Sequence, residues 1–131
     1  MPDDGVFAEE TSLEAAGDRL LAGHPPGIQA IARALRATVR DEFSDAIEQV
    51  DMSDGLIAFG RSTKIRGLVF AIIPHASWVN LQLADGVDLP DPEGLIEGTG
   101  KRIRHVKVRT VEAASAAPLL QIVRAQLAVR P

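Results

Sequence analysis

The sequence predicts an α/β domain of the α+β kind, in which an antiparallel sheet carries helices packed mainly on one face. Apolar residues recur at helical spacing from Ile28 to Val50, the middle of the chain changes to short extended segments bounded by turn signals, and Leu119, Val123 and Leu127 restore helical spacing at the end. With 131 residues there is enough chain for one core and too little for two ordinary domains.

In chain order, Thr11-Ser-Leu-Glu14 has the reciprocal capping pattern of a helix start, with Leu13, Ala16 and Leu20 at roughly helical spacing. His24-Pro-Pro-Gly27 stops that short helix, because proline lacks a donor and glycine frees the backbone. The chain therefore divides into an N-terminal extension with a short helix, residues 1–27, and the α/β domain proper, residues 28–131. Apolar positions 28, 31, 35 and 39, then 43, 46, 47 and 50, read as one helix or two in succession, with a break near Arg40-Asp-Glu42. Gln29, Arg33, Arg36 and Arg40 lie off this stripe and read as solvated.

Asp54-Gly55 is a turn signal. Leu56–Gly60 reads as a first strand, Arg61-Ser-Thr-Lys64 as a polar connection, and Ile65–Ile73 as a second strand limited by Pro74. In a third, Ser77–Leu83, alternation puts Ser77, Val79, Leu81 and Leu83 on one face and Trp78, Asn80 and Gln82 on the other. Asp91-Pro-Glu-Gly94 resembles the entrance to a helical turn, with Asp91 as cap. A fourth strand, His105–Arg109, points Val106 and Val108 one way and His105, Lys107 and Arg109 the other. Pro118 opens the last helix, with Gln121, Arg124 and Gln126 on its exposed side.

Composition narrows the function. A net charge of −4 and a pI near 5.3 give no global attraction for nucleic acid or anionic membrane, so any anion affinity is local. Absence of cysteine excludes a disulfide framework, thiol catalysis and thiolate metal sites. The start carries no signal-peptide pattern and the longest apolar run, Leu68–Ile73, is far too short to span a membrane, so a cytoplasmic protein is expected. With four Phe, one Trp and no Tyr, stacking platforms for single-stranded nucleic acid are few.

The run from Leu95 to Arg109 is the exception to the acidic balance. It holds Gly98, Gly100, Lys101, Arg102, Arg104, His105 and Lys107 beside a predicted strand. Gly98-Thr-Gly-Lys101 is not a nucleotide phosphate loop, since Arg102 stands where Ser or Thr is required and the first glycine is missing. Backbone N–H groups of Glu97 to Lys101 could form a concave anion site with these cations, or the glycines could serve backbone angles alone. His24, His75 and His105 lack metal-motif spacing. Asp41, Asp45 and Glu48 are the carboxylates spaced to collect a hard cation if their segment is helical. Ser62, Ser77 and Ser115 lack a nucleophile turn, and Glu93 with Glu97 is explained as well by capping as by acid–base chemistry. No catalytic residue is assigned, and no cofactor is called for.

Residues 91–109, Asp91-Pro-Glu-Gly-Leu-Ile-Glu-Gly-Thr-Gly-Lys-Arg-Ile-Arg-His-Val-Lys-Val-Arg109, resemble the signature of the YdhG-like family, the domain of unknown function 1801, and the likeness extends more weakly from Ile28 to Ala128. Gly94, Leu95, Glu97, Gly98, Gly100, Lys101, Arg104 and Lys107 occupy the matching positions. The resemblance implies a compact α/β domain with helices against an antiparallel sheet, and some members are described as iron chaperones of frataxin-like role. Met52–Gly60 and Leu68–Ile73 depart from the aromatic segments common in the family.

These readings favour a small binding or accessory domain that takes an anionic metabolite or an acidic protein segment near Lys101, Arg102, Arg104, His105 and Lys107, with Trp78 as an apolar wall. The alternatives are an iron-binding accessory protein using Asp41, Asp45 or Glu48, and a structural homodimer joined by a sheet face or edge. Nucleic-acid and membrane partners are not expected.

Overall fold

A computed structural model describes residues 5–131, with side chains from Leu13 onward. Two helices, α1 (Gly5–Ala22) and α2 (Pro26–Glu42), precede six strands: β1 (Ile47–Asp51), β2 (Leu56–Gly60), β3 (Leu68–Pro74), β4 (Val79–Leu83), β5 (Ile96–Glu97) and β6 (Arg104–Val108). Helix α3 (Ala117–Val129) closes the chain. The strands form one antiparallel sheet in the order β1-β2-β3-β4-β6-β5, as expected for an α+β domain.

Period-two alternation sets the two faces. Ile57, Phe59, Phe70, Ile72, Leu81, Leu83, Val106 and Val108 point to one side and are buried. Against them lie Ile28, Ile31, Leu35 and Val39 of α2 and Leu119, Ile122 and Val123 of α3. Phe43 ends α2 by turning into this core, edge-on to Phe70 at 6.3 Å between ring centroids. Leu20 and Leu21 of α1 join the same core, so the first helix shares its packing with the rest of the chain. Each fully buried aliphatic side chain contributes about 1.5–3 kcal/mol.

Between β2 and β3 the register shifts after Phe59, which makes Val69 an extra residue that enters the core beside Phe70. The connection 61–67 is consequently an arch. Arg61 N donates to Gly67 O at 2.8 Å and Gly67 N to Lys64 O at 2.9 Å. Its base is a close glycine-to-glycine approach, since a Cβ on Gly60 would lie 2.7 Å from Gly67 O.

The structure corrects several expectations. Ile47–Asp51 is an edge strand rather than helix, and α2 ends at Glu42. Thr11–Glu14 lies inside α1 rather than at its start. Ile65–Gly67 is a 3-10 turn of the arch, so the second predicted strand begins only at Leu68. Asp91 does not open a helix; its carboxylate accepts from Leu95 N at 2.7 Å and Ile96 N at 2.9 Å and leads the chain into β5. Glu93 and Glu97 therefore share no helical face.

Arg36 and Gln126, expected on exposed faces, are buried. Arg36 meets Glu48 at 2.5 Å, and Arg40 reaches the other Glu48 oxygen at 2.7 Å. Gly17 makes room for this clamp, because a Cβ there would lie 2.5 Å from Arg36 Nη1. Gln126 pairs with Asp85, 41 positions away in the chain.

Candidate functional site

The face of the sheet turned away from the helices carries the first cluster. Trp78, just before β4, shares this face with Asn80 and Gln82, as the alternation predicts, and β6 adds His105 and Lys107 through the pairs Gln82↔His105 and Asn80↔Lys107. Trp78 stacks on His75 at 5.0 Å between centroids. Asn80 joins the two rings: its Oδ1 accepts from Trp78 Nε1 at 2.9 Å and its Nδ2 lies 3.1 Å from His75 Nε2. Indole N–H only donates, so the amide orientation is fixed and His75 Nε2 must be the acceptor. Lys107 Nζ lies 4.7 Å and the Arg109 guanidinium 5.8 Å from the indole centroid. Lys107 is also 3.5 Å from Glu97. Trp78 is thus already engaged by its own neighbours rather than standing as a bare wall.

The second cluster lies at the end of the sheet where the 61–67 arch, the loop before β6 and the C-terminus meet. Its centre is Asp85, only 4% exposed. Arg102 Nη2 donates to one of its oxygens at 2.5 Å, and Arg130 Nε and Gln126 Nε2 to the other at 2.5 and 2.9 Å. Gln126 Oε1 accepts from Asp85 N at 2.8 Å. The Arg130 guanidinium first, then Gln126 and Arg102, hold the Asp85 carboxyl well below the usual carboxylate range against the opposing effect of burial. Arg130 Nη1 also donates to Arg66 O at 3.0 Å, tying the C-terminus to the arch.

Around this hub is a groove of about 290 Å³ bordered by Arg66, Arg102 and Arg130, with Ile65 and Ile103 along it. Ile65 is 91% exposed and Ile103 50%. The hydrogen bonds of the arch hold Ile65 outward. Arg61, Lys64, Arg66, Lys101, Arg102, Arg104 and Arg130, half of the fourteen Lys and Arg, lie in the segments that build this end.

The predicted site residues thus separate. Trp78, His105 and Lys107 belong to the open face, whereas Arg102 belongs to the strand-end cluster and Lys101, exposed, precedes it in the chain. Arg104 falls by alternation on the side of Val106 and Val108, and its Nε donates to Gly100 O at 2.8 Å. Gly98 has φ +121°, and a Cβ on Gly100 would lie 2.6 Å from Ile103 O. Both glycines therefore answer to backbone shape and close packing. Ile65, Arg66, Ile103 and Arg130 are absent from the sequence-derived set; the only hint of them is the basic spacing Arg61, Lys64, Arg66 around an isoleucine.

The proposed iron ligands are not gathered. Glu48 is clamped by Arg36 and Arg40, Asp45 lies 3.6 Å from Arg61, and Asp41 is exposed near the end of α2. Among the described residues no group of three or more His, Asp or Glu side chains is placed to hold a metal ion. Nor is any described helix long and apolar enough to cross a membrane. No known family, curated protein or solved structure matches the chain.

Proposed function

We propose that this protein is a binding module that captures an acidic protein segment bearing an apolar anchor at the strand-end groove. The observation that carries the reading is the exposed Ile65 beside three guanidinium groups, two of them fixed by a buried carboxylate. An apolar side chain of the partner would pack along Ile65 and Ile103 while its carboxylates meet Arg66, Arg102 and Lys101. Among the described residues Arg66 and Lys101 have no carboxylate within 4.0 Å, so their charges are uncommitted. Cations held in place before binding lose little freedom when the partner arrives. An open groove suits a peptide better than a small metabolite, whose sites enclose about 70% or more of its surface.

The test is fluorescence anisotropy with a labelled peptide of alternating Asp, Glu, Leu and Phe. Arg66→Glu with Lys101→Glu should weaken binding about tenfold at low salt and flatten its salt dependence. Affinity unchanged in this double variant, with the thermal midpoint preserved, overturns the reading.

A further inference from the structure

On the outer face of the sheet, beyond the arch from the basic groove, β1 and β2 carry a trough of about 630 Å³, within the size range of small-molecule sites. Its floor follows from alternation. Ile57 and Phe59 are buried against the helices, so Leu56 and Ala58 face outward, with the smaller side chain toward the arch, where Gly60 passes beneath the backbone of Gly67. Ala58 pairs with Ala71 on β3, which is itself fully covered. Met52 and Ile65 stand at opposite ends as apolar walls.

The two ends carry opposite charge. At the β1–β2 turn are Asp51 and Asp54; at the arch are Ser62, Thr63 and Lys64. Asp51 Oδ1 accepts from Ser53 Oγ at 2.9 Å and from Asp54 N at 3.0 Å, which fixes that carboxylate in place. Among the described residues, no cation lies within 4.0 Å of Asp51 or Asp54, and no carboxylate within 4.0 Å of Lys64. The four residue steps from Leu56 to Gly60 separate the ends by roughly 13 Å, at about 3.4 Å per residue.

We infer that this trough binds a short free peptide in extended form, its ammonium terminus at Asp51 and Asp54 and its carboxylate terminus at Lys64, Ser62 and Thr63. The charge pattern selects this class. A nucleotide or other polyanion would meet the carboxylates at one end, and a purely apolar ligand would leave both charged ends unused. An extended chain advances about 3.4 Å per residue, so roughly four residues fill the span. Small apolar side chains in the middle would lie over Ala58. The site shares only Ile65 and Leu68 with the basic groove and requires a ligand of different charge, so the inference stands apart from the function proposed above.

The experiment is titration calorimetry with three tetrapeptides, Ala-Leu-Ala-Ala, Gly-Leu-Ala-Gly and Leu-Ala-Ala-Leu, each with free termini, then N-acetylated, then C-amidated. At least one free peptide should bind at roughly millimolar strength or better, and either cap should weaken it about three- to fivefold. Asp54→Asn should weaken the free peptide while leaving the acetylated form unaffected, and Lys64→Met should do the same for the amidated form. Ala58→Leu, which fills the floor from its outward position, should abolish binding with the fold retained by circular dichroism. Failure of all three free peptides to bind, equal affinity for free and capped forms, or binding unaltered in Ala58→Leu each overturns the assignment.

Discussion

Asp85→Asn removes one buried negative charge while keeping the side chain's shape, and its cost can be worked from the groups that surround it. Four side-chain N–H donors reach the two carboxylate oxygens: one from Arg102, one from Gln126 and two from Arg130. An amide offers one acceptor oxygen and turns an NH2 toward the remaining donors. Hydrogen bonds to a charged group contribute about 1.5–3 kcal/mol each, but water reclaims much of that where the partner is open. The Arg102 side chain is 64% exposed and that of Arg130 27%, whereas Gln126 is fully buried. After that discount we expect a net loss of about 2–3 kcal/mol, or roughly 10 °C in thermal midpoint for a chain of this size. The pH dependence follows from the lowered Asp85 pKa. A group more acidic in the folded state than its unfolded value of about 3.9 contributes fully above that value and loses its contribution as pH falls through the folded pKa. The difference between parent and variant should therefore be constant from about pH 7 to pH 5 and shrink steadily below about pH 4. Glu14, held low by Arg40, and Glu42, held low by Arg124, titrate in both proteins and cancel in the difference. Urea unfolding across this range is the assay. Equal stability at neutral pH, or a difference undiminished in strong acid, would refute the reasoning.

Two further substitutions test other parts of the fold. Glu48→Ala leaves Arg36, with a side chain only 5% exposed, without its 2.5 Å partner and should cost about 3–5 kcal/mol by urea unfolding, whereas Arg36→Met with Glu48→Leu should recover most of it. Recovery would fail if the clamp were needed for the placement of β1 itself. Gly98→Ala forces a side chain into a φ of +121° and brings its Cβ within 3.2 Å of Arg104 Cδ. It should cost about 1–3 kcal/mol while leaving acidic-peptide affinity of the folded protein unchanged; a selective loss of affinity would instead restore the glycine loop as an anion cradle.

What the sequence discloses and what it hides divide along a physical line. Trp78, Asn80 and Gln82 were legible as one face because a strand that alternates every second residue needs no knowledge of its partners. Strand β1 was hidden because Phe43, Ala46, Ile47 and Val50 satisfy helical spacing, and no Gly or Pro marks the end of α2; the stop comes from Phe43 packing on Phe70. Arg36 and Gln126 look like surface residues to any local pattern. Their burial is decided by Glu48 and Asp85, which lie outside the helices that carry them. Ile65 departs from its local pattern for the opposite reason. An isoleucine at the head of an apolar run reads as strand, yet the extra residue at Val69 and the Gly60–Gly67 contact lift it onto the arch.

The strand-end cluster also shows why stability and recognition can be separated there. Asp85 gathers three segments remote in sequence: the β4 exit, the loop before β6 and the end of α3. Arg102 and Arg130 serve that hub, so substituting either changes the fold and the surface charge together. Arg66 contributes only its carbonyl to the hub, accepting from Arg130, and its side chain is exposed. Lys101 is likewise exposed and lies one residue outside the hub. Charge reversal at these two positions therefore alters the field a partner meets while leaving the hydrogen bonds of Asp85 in place, and a binding defect there cannot be ascribed to loss of the hub.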